Sequence, residues 1–198
     1  MVLACFGCTT ERIEMDMAPP PYFRASNVYV DAGGAGSLPK RVLVLPCYGA
    51  ASMPDLKELS ELLVEGCGKV NAFRVIMPPK EKVTNVRVYR ELSLDEARAW
   101  AREVGADGIL TCRIHACQKI KPLSLGAALN LWSMERNANV WSVDETLDTQ
   151  LKTVANGARH YYLSEFRRSY PNRQSEQILD SPQLFFKYAF SELLKTVP

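Results

Sequence analysis

Short apolar runs alternate with amphipathic stretches along the first half of the chain. The run Arg41–Pro46 is almost continuously aliphatic and β-branched, which is typical of a strand buried on both faces. Similar runs cover Phe73–Met77 and Asp107–Ile114. Apolar residues at helical spacing separate them, and a helix between two such strands indicates a parallel crossover. The pattern therefore predicts a β-α-β-α-β unit over residues 41–115.

Both helices of this unit carry start and stop signals. Ser52 is expected to cap the first helix, with Pro54 at its first position and Gly66 at its end. The second helix begins with the S-x-x-E capping box Ser93–Glu96 and ends at Gly105. These signals predict where each helix starts and stops.

The following stretch changes to strict alternation of apolar and polar residues. Leu125–Glu135 and Asn139–Leu147 flank the turn signal Asn137–Ala138, which predicts an antiparallel hairpin at a sheet edge, with one wet face. A two-residue loop at this signal would place four large side chains on one side of the hairpin: Trp132, Met134, Trp141 and Val143.

Two further helices are expected after the hairpin. Apolar residues repeat at helical spacing from Leu151 to Phe166, and Ser181–Pro182 begins a last helix that is apolar nearly all round. Such a helix lies either inside the fold or in an interface. The candidate interface residues are Phe185, Phe186, Phe190, Trp132 and Trp141.

These elements predict an α/β fold, with a two-layer or three-layer β-α-β-α-β arrangement, an antiparallel C-terminal hairpin and additional C-terminal helices. Residues 41–198 are expected to form one domain. Residues 9–40 are expected to be a flexible tether, because Pro19–Pro21 and Gly33–Gly36 favour extended and flexible backbone. Within the tether, the alternation at Asn27–Val30 leaves room for a bound strand.

The composition is that of an ordinary globular protein. Of 198 residues, 47% are hydrophobic and 23% are charged, which excludes the disordered and collagen-like classes. The net charge of +2 is too small to predict a nucleic-acid partner. Six cysteines are too few for a small disulfide scaffold, but two of them, Cys5 and Cys8, fall within the first eight residues.

Candidate catalytic and metal-binding groups are few. The spacing Cys112-x-x-His115-x-Cys117 suggests a metal site, but alternation along a strand would send Cys112 to one face and the other two residues to the opposite face. In an exported chain, Cys47 and Cys67 could pair. No nucleophile or phosphate-binding motif is present. The sequence therefore predicts no enzyme, catalytic residue, metal or cofactor.

The first residues resemble the end of a bacterial lipoprotein signal peptide. Gly7-Cys8-Thr9-Thr10 and Val2-Leu3-Ala4-Cys5 both resemble the junction whose cysteine receives the lipid. A complete signal also needs a basic start and about 7–15 apolar residues. We therefore expect a start codon upstream, with residues 1–8 as the remaining signal and lipidation region. The alternative is that Cys5 and Cys8 are free thiols.

The order of elements resembles a group of bacterial envelope lipoproteins with TolB N-terminal-like domains, the CsgG, LpoB and PelC group. The resemblance rests on Arg41–Pro46, Phe73–Ile76, Val104–Thr111 and the hairpin through Val140–Ser142. It implies a lipid-anchored, periplasm-facing envelope protein, on the outer membrane more than the inner. It also implies a role without catalysis, with a protein partner or homo-oligomer, in secretion or envelope maintenance.

The alternative function is a small cytosolic ligand-binding domain or enzyme. Such a protein would use the crevice at the carboxyl ends of the parallel strands, near Cys47–Ser52 and Pro78–Lys82. A structural subunit of a secretion or polysaccharide-export ring is a third hypothesis.

Overall fold

The computed structural model describes residues 21–33, 38–83, 90–166 and 175–198. The strands are β1 (Val28–Val30), β2 (Arg41–Val44), β3 (Tyr48–Gly49), β4 (Arg74–Ile76), β5 (Gly108–Gln118), β6 (Ser124–Ser133) and β7 (Ala138–Asp148). The α-helices are α1 (Met53–Cys67), α2 (Lys80–Val83), α3 (Leu94–Glu103), α4 (Lys152–Phe166) and α5 (Pro182–Leu194), and Ser175–Leu179 form a short 3-10 helix.

Within this part of the chain, the strands form one seven-stranded mixed sheet in the order β1-β7-β6-β5-β2-β4, with β3 also beside β5. The strands β4, β2 and β5 are parallel, whereas β5, β6, β7 and β1 pair antiparallel. The predicted parallel unit and C-terminal hairpin are therefore both confirmed.

The helices lie on the two faces of the sheet in unequal numbers. The helices α1, α4 and α5 share one large core with one face, which includes Val42 and Val44 of β2. The alternate residues of β2 and β5 face α3 in a small core made of Leu43, Leu45, Ala97, Ala101 and Ile109. The parallel half thus has three layers, which confirms the predicted α/β class.

The ends of α1 and α3 follow the predicted signals with one exception. Ser52 caps α1 and the Ser93–Glu96 box caps α3, while Gly105 follows α3 with φ +64°. The predicted stop at Gly66 is wrong, because α1 continues to Cys67. A side chain at Gly66 would place its Cβ 2.9 Å from a methyl of Leu194, so this glycine permits close packing of α5.

The predicted register of the hairpin is also wrong. The loop has four residues, 134–137, and Asn137 is its last residue, with φ +51°. Leu131 therefore pairs with Trp141, and an irregularity follows at Trp132. Trp141 lies in the large core, whereas Trp132 packs on the small core. The two tryptophans are on opposite faces of the sheet, since a one-residue slip reverses a side chain's face.

The predicted tether is too long. Residues 28–30 form β1, which pairs with β7, so the fold begins before residue 41 and the hairpin is not the edge of the sheet. The segment before β1 is also fixed: the Phe23 N–H donates to the Thr153 carbonyl, and the Glu145 carboxylate accepts from the Ser26 and Asn27 N–H groups. The alternative of a bound strand at Asn27–Val30 is confirmed.

Candidate functional site

The most prominent exposed feature is the part of the sheet beyond α3, which we call the open sheet face. Its residues alternate with core residues along four strands and are partly or largely exposed. They are Tyr29, Thr111, Arg113, His115, Asn130, Ser142 and Asp144. This agrees with the predicted wet face of the hairpin. The face combines hydrogen-bonding groups of both charges with an exposed aromatic ring.

A histidine–aspartate pair lies across the middle of this face. His115 Nε2 is 2.9 Å from Asp144 Oδ1, and the imidazole lies directly over Gly126 of the intervening strand. A side chain at Gly126 would collide with this ring. The pair was not predicted, because it depends on the hairpin register and on the bulge at His115. The small side chains at Gly126 and Ala128, which leave space above the strand between His115 and Asp144, are the sequence signal for this pair.

A histidine hydrogen-bonded to a carboxylate also occurs in catalytic triads. Such a pair orients a general base when a nucleophile is hydrogen-bonded to the histidine. Within the described residues, His115 makes no hydrogen bond to a serine, threonine or cysteine. The pair offers hydrogen-bonding groups to a binding partner. The imidazole ring can donate or accept a hydrogen bond, and the carboxylate can accept one.

A groove of about 340 Å³ lies between α3 and the open sheet face. Its walls include Leu94 and Trp132, and Asn130 supplies an amide. The Tyr48 hydroxyl is 3.5 Å from the Glu91 carboxylate at its rim. Burial, and then the charge of Glu91, raise the pKa of Tyr48, so this hydroxyl remains a neutral donor. The groove suits an apolar group with a hydrogen-bonding edge.

Trp132 is the predicted interface residue that the structure leaves accessible. It is partly exposed, and the Arg98 guanidinium lies 5.5 Å from its ring centroid. The other four residues, Phe185, Phe186, Phe190 and Trp141, are each 0% exposed. The prediction that they form an interface is wrong for this reason. The all-round apolar helix α5 is instead enclosed by α1, α4 and the sheet.

The cysteines of the folded part are free thiols. Cys112 is buried in the large core and His115 is on the open sheet face, as expected, but the bulge returns Cys117 to the side of Cys112. Among the described residues, no group of three His, Cys, Asp or Glu is placed to hold a metal. Cys47 and Cys67 are not bonded, and burial raises the pKa of Cys67 to about 12.

The predicted crevice at the strand ends is present. A cavity of about 320 Å³ lies where β2 and β4 end, lined by Leu45, Pro46, Met77 and Pro78 with polar groups from α1. Its lining is mainly apolar, and Met77 is 54% exposed there. The geometry can accept a small apolar group.

Cys5 and Cys8 lie outside the described residues, so the predicted lipidation site has no structural description. In the portion that the structure covers, no helix has the length and apolar character needed to span a membrane.

Comparison with known proteins gives structural likenesses only. The chain matches no known family profile and no curated protein. A PelC dodecamer from Paraburkholderia phytofirmans is 18% identical over 63% of this chain and 79% of that chain, with a TM-score of 0.44. Lipoprotein GNA1162 from Neisseria meningitidis is 15% identical over 68% of this chain and 98% of that chain, with a TM-score of 0.40. The LpoB C-terminal domain from Escherichia coli is 16% identical over 58% of this chain and 87% of that chain, with a TM-score of 0.42.

Proposed function

We propose that this chain is a non-enzymatic, lipid-anchored protein of the bacterial cell envelope whose α/β domain binds a protein partner or a second copy of itself. Cys8 carries the lipid, with Cys5 as the second candidate, and the domain faces the periplasm, on the outer membrane more than the inner. The observation that carries the proposal is the junction Gly7-Cys8-Thr9-Thr10 a short distance before the fold.

The attachment of the N-terminal segment supports this arrangement. Residues 21–27 cross α4 and enter β1 at one edge of the sheet, held by Thr153 and Glu145. A chain anchored before residue 21 would therefore hold the domain by its β1 edge. Residues 21–27 do not line the groove beside α3, so we place the partner at that groove and on the open sheet face.

The residue types on the open sheet face support a protein partner. Protein interfaces are enriched in tyrosine, tryptophan and arginine, which dominate their binding energy. Tyr29, Arg113 and Trp132 are all partly or largely exposed on this side of the sheet. Arg98 and Asp144 add charges of opposite sign, which favour one orientation of a partner over others.

Metabolic labelling tests the lipid anchor. The gene is expressed from its own locus with its upstream DNA, cells are fed an alkyne-tagged palmitate, and membranes are separated from soluble fractions. We expect the label in the membrane fraction, its loss in Cys8→Ser and its retention in Cys5→Ser. Cys117→Ser, which changes a half-buried thiol of the folded domain, is the matched control. An unlabelled soluble product would contradict the proposal.

A small ligand-binding protein is the second candidate, and the cavity between the ends of β2 and β4 favours it. Apolar pockets of about 300–1,000 Å³ at the carboxyl ends of parallel strands are frequent ligand sites. An unlabelled soluble product in the same fractionation would favour this candidate over the anchored one.

A further inference from the structure

Cys47 directly precedes β3, and Cys112 lies on β5, the strand that pairs with β3. Tyr48 pairs with Arg113 in this parallel pair, and continuing the register by one residue brings Cys47 beside Cys112. Adjacent strands are about 4.8 Å apart. Disulfides join residues whose Cα atoms are about 4.4–6.8 Å apart, so the strand spacing itself is suitable for a bridge.

The two side chains also face the same way. Both belong to the large core, and both are 0% exposed. Cys67 is in the same core but lies at the end of α1, outside the sheet. The strand register therefore favours Cys112 over Cys67 as the partner of Cys47, which differs from the pairing considered from the sequence.

We infer that Cys47 and Cys112 form a disulfide when the chain folds in the presence of a disulfide oxidant. The thiolate of one cysteine attacks the oxidant and forms a mixed disulfide, and the second thiolate then displaces the oxidant's remaining sulfur. Two protons leave the cysteines, and the oxidant is reduced to two thiols. The bond joins β5 to the segment between β2 and β3. That it forms in the periplasm rests on the proposed function, but the pairing itself does not.

The reaction takes place before the core closes. In the folded chain neither thiol is exposed to an oxidant, and burial raises the pKa of Cys112, which disfavours the attacking thiolate. A chain that has folded with reduced thiols should therefore stay reduced when oxidant is added later. Oxidation during folding and oxidation after folding give different products, which makes the inference measurable.

Refolding with glutathione tests the pairing. The full chain carrying Cys5→Ser and Cys8→Ser is diluted from urea into oxidised and reduced glutathione, free thiols are alkylated, and peptides are mapped by mass spectrometry. We expect a Cys47–Cys112 linked peptide, a mass lower by two hydrogens and a higher urea midpoint than in the reduced protein. In native protein treated with the same buffer, Cys47 and Cys112 should both remain alkylatable after denaturation.

Cysteine variants separate the two partners of Cys47. Cys67→Ser should retain the link and the increase in urea midpoint, whereas Cys112→Ser should lose both. A Cys47–Cys67 link in the unsubstituted core, or four alkylated core cysteines after oxidative refolding, would overturn the inference. If Cys112→Ser does not fold, the peptide maps of Cys67→Ser and of the protein with all four core cysteines still show which cysteine is linked to Cys47. The test involves no lipid, so its outcome is independent of the labelling experiment.

Discussion

The two faces of the sheet are covered to very different extents. One face packs against α1, α4 and α5 in a large core that includes the fully buried Trp141. The other face meets only α3 among the described helices that pack on the sheet, in a small core around Ile109, and continues as the open sheet face. Since burial of apolar area supplies most of the folding free energy, stability belongs mainly to the first face.

This difference separates stability from recognition. Substitutions on the covered face should change the free energy of unfolding, whereas substitutions on the open sheet face should change binding with little effect on unfolding. The chain offers matched residues on the two sides, Trp141 with Trp132 and Gly157 with Gly126, so the comparison can be tested with the same chemical change in each place.

The largest effect is expected for Trp141→Ala. Trp141 is 0% exposed, and its indole N–H donates to the Thr196 carbonyl at 3.0 Å. Removing a buried aromatic side chain leaves a cavity, and we expect a loss of about 3–5 kcal/mol. Urea unfolding followed by circular dichroism measures it. A loss below about 1 kcal/mol, the size typical of a surface position, would contradict the assignment of this face as the core.

A smaller loss is expected for Gly157→Ala on α4. The added methyl group would collide with the hydroxyl of Tyr188, which is itself 0% exposed. Overpacking of this kind costs about 1–3 kcal/mol, partly offset by the better helix propensity of alanine. Urea midpoints compare it with Gly126→Ala, whose methyl group meets the exposed His115 ring and Ala116. A larger loss at Gly126 would reverse the comparison.

Trp132→Ala should destabilise less than Trp141→Ala. The Trp132 ring is already partly exposed, and the substitution removes its contacts with Arg98 and with the small core around Ile109. We expect about 1–2 kcal/mol from the smaller buried area and the lost cation–π contact. The same urea experiment measures both variants. Equal losses for the two tryptophans would show that the small core beside α3 contributes as much stability as the large core.

The smallest effects concern α3, which covers part of the second face. Ser93→Ala removes the N-cap, and we expect a loss of about 1 kcal/mol in urea unfolding.

The hydrogen bond from Arg90, followed by those from Ser93, lowers the pKa of Glu96 to about 2. This stabilisation is complete above the usual pKa of 4.5 and is lost as the pH falls towards 2.

Glu96→Gln tests the origin of this acid sensitivity. The variant should lack the part of the stability loss that occurs between pH 4.5 and about 2. Thermal unfolding across this pH range, with the exposed Asp95→Asn as the control on the same helix turn, measures the difference. An unchanged pH profile would show that the Arg90–Glu96 contact does not stabilise α3.

Local signals made the parallel half of the fold predictable. Ser52, the Ser93–Glu96 box and Gly105 each act within one helical turn, and the structure confirms them. Gly66 was misleading because its lack of a side chain serves contact with Leu194, more than 120 residues later. A sequence pattern contains no such distant contact.

Long-range geometry explains why the candidate site was only partly predictable. The wet face of the hairpin follows from alternation, but the His115–Asp144 pair depends on a bulge and a register that the turn residues did not specify. The burial of Phe190 was likewise undecided, because an apolar helix packs equally well inside a fold or between subunits. Tertiary packing decides both points.

Site-specific photocrosslinking in living cells tests whether the open sheet face binds a protein partner. Benzoylphenylalanine is placed at Ser142 on the open sheet face and, for comparison, at the exposed Leu163 on the outer side of α4. We expect a discrete crosslinked protein from Ser142 that is lost in Trp132→Ala, and none from Leu163. Crosslinking from Leu163 alone, or from neither position, would contradict the assignment of the open sheet face as the binding surface.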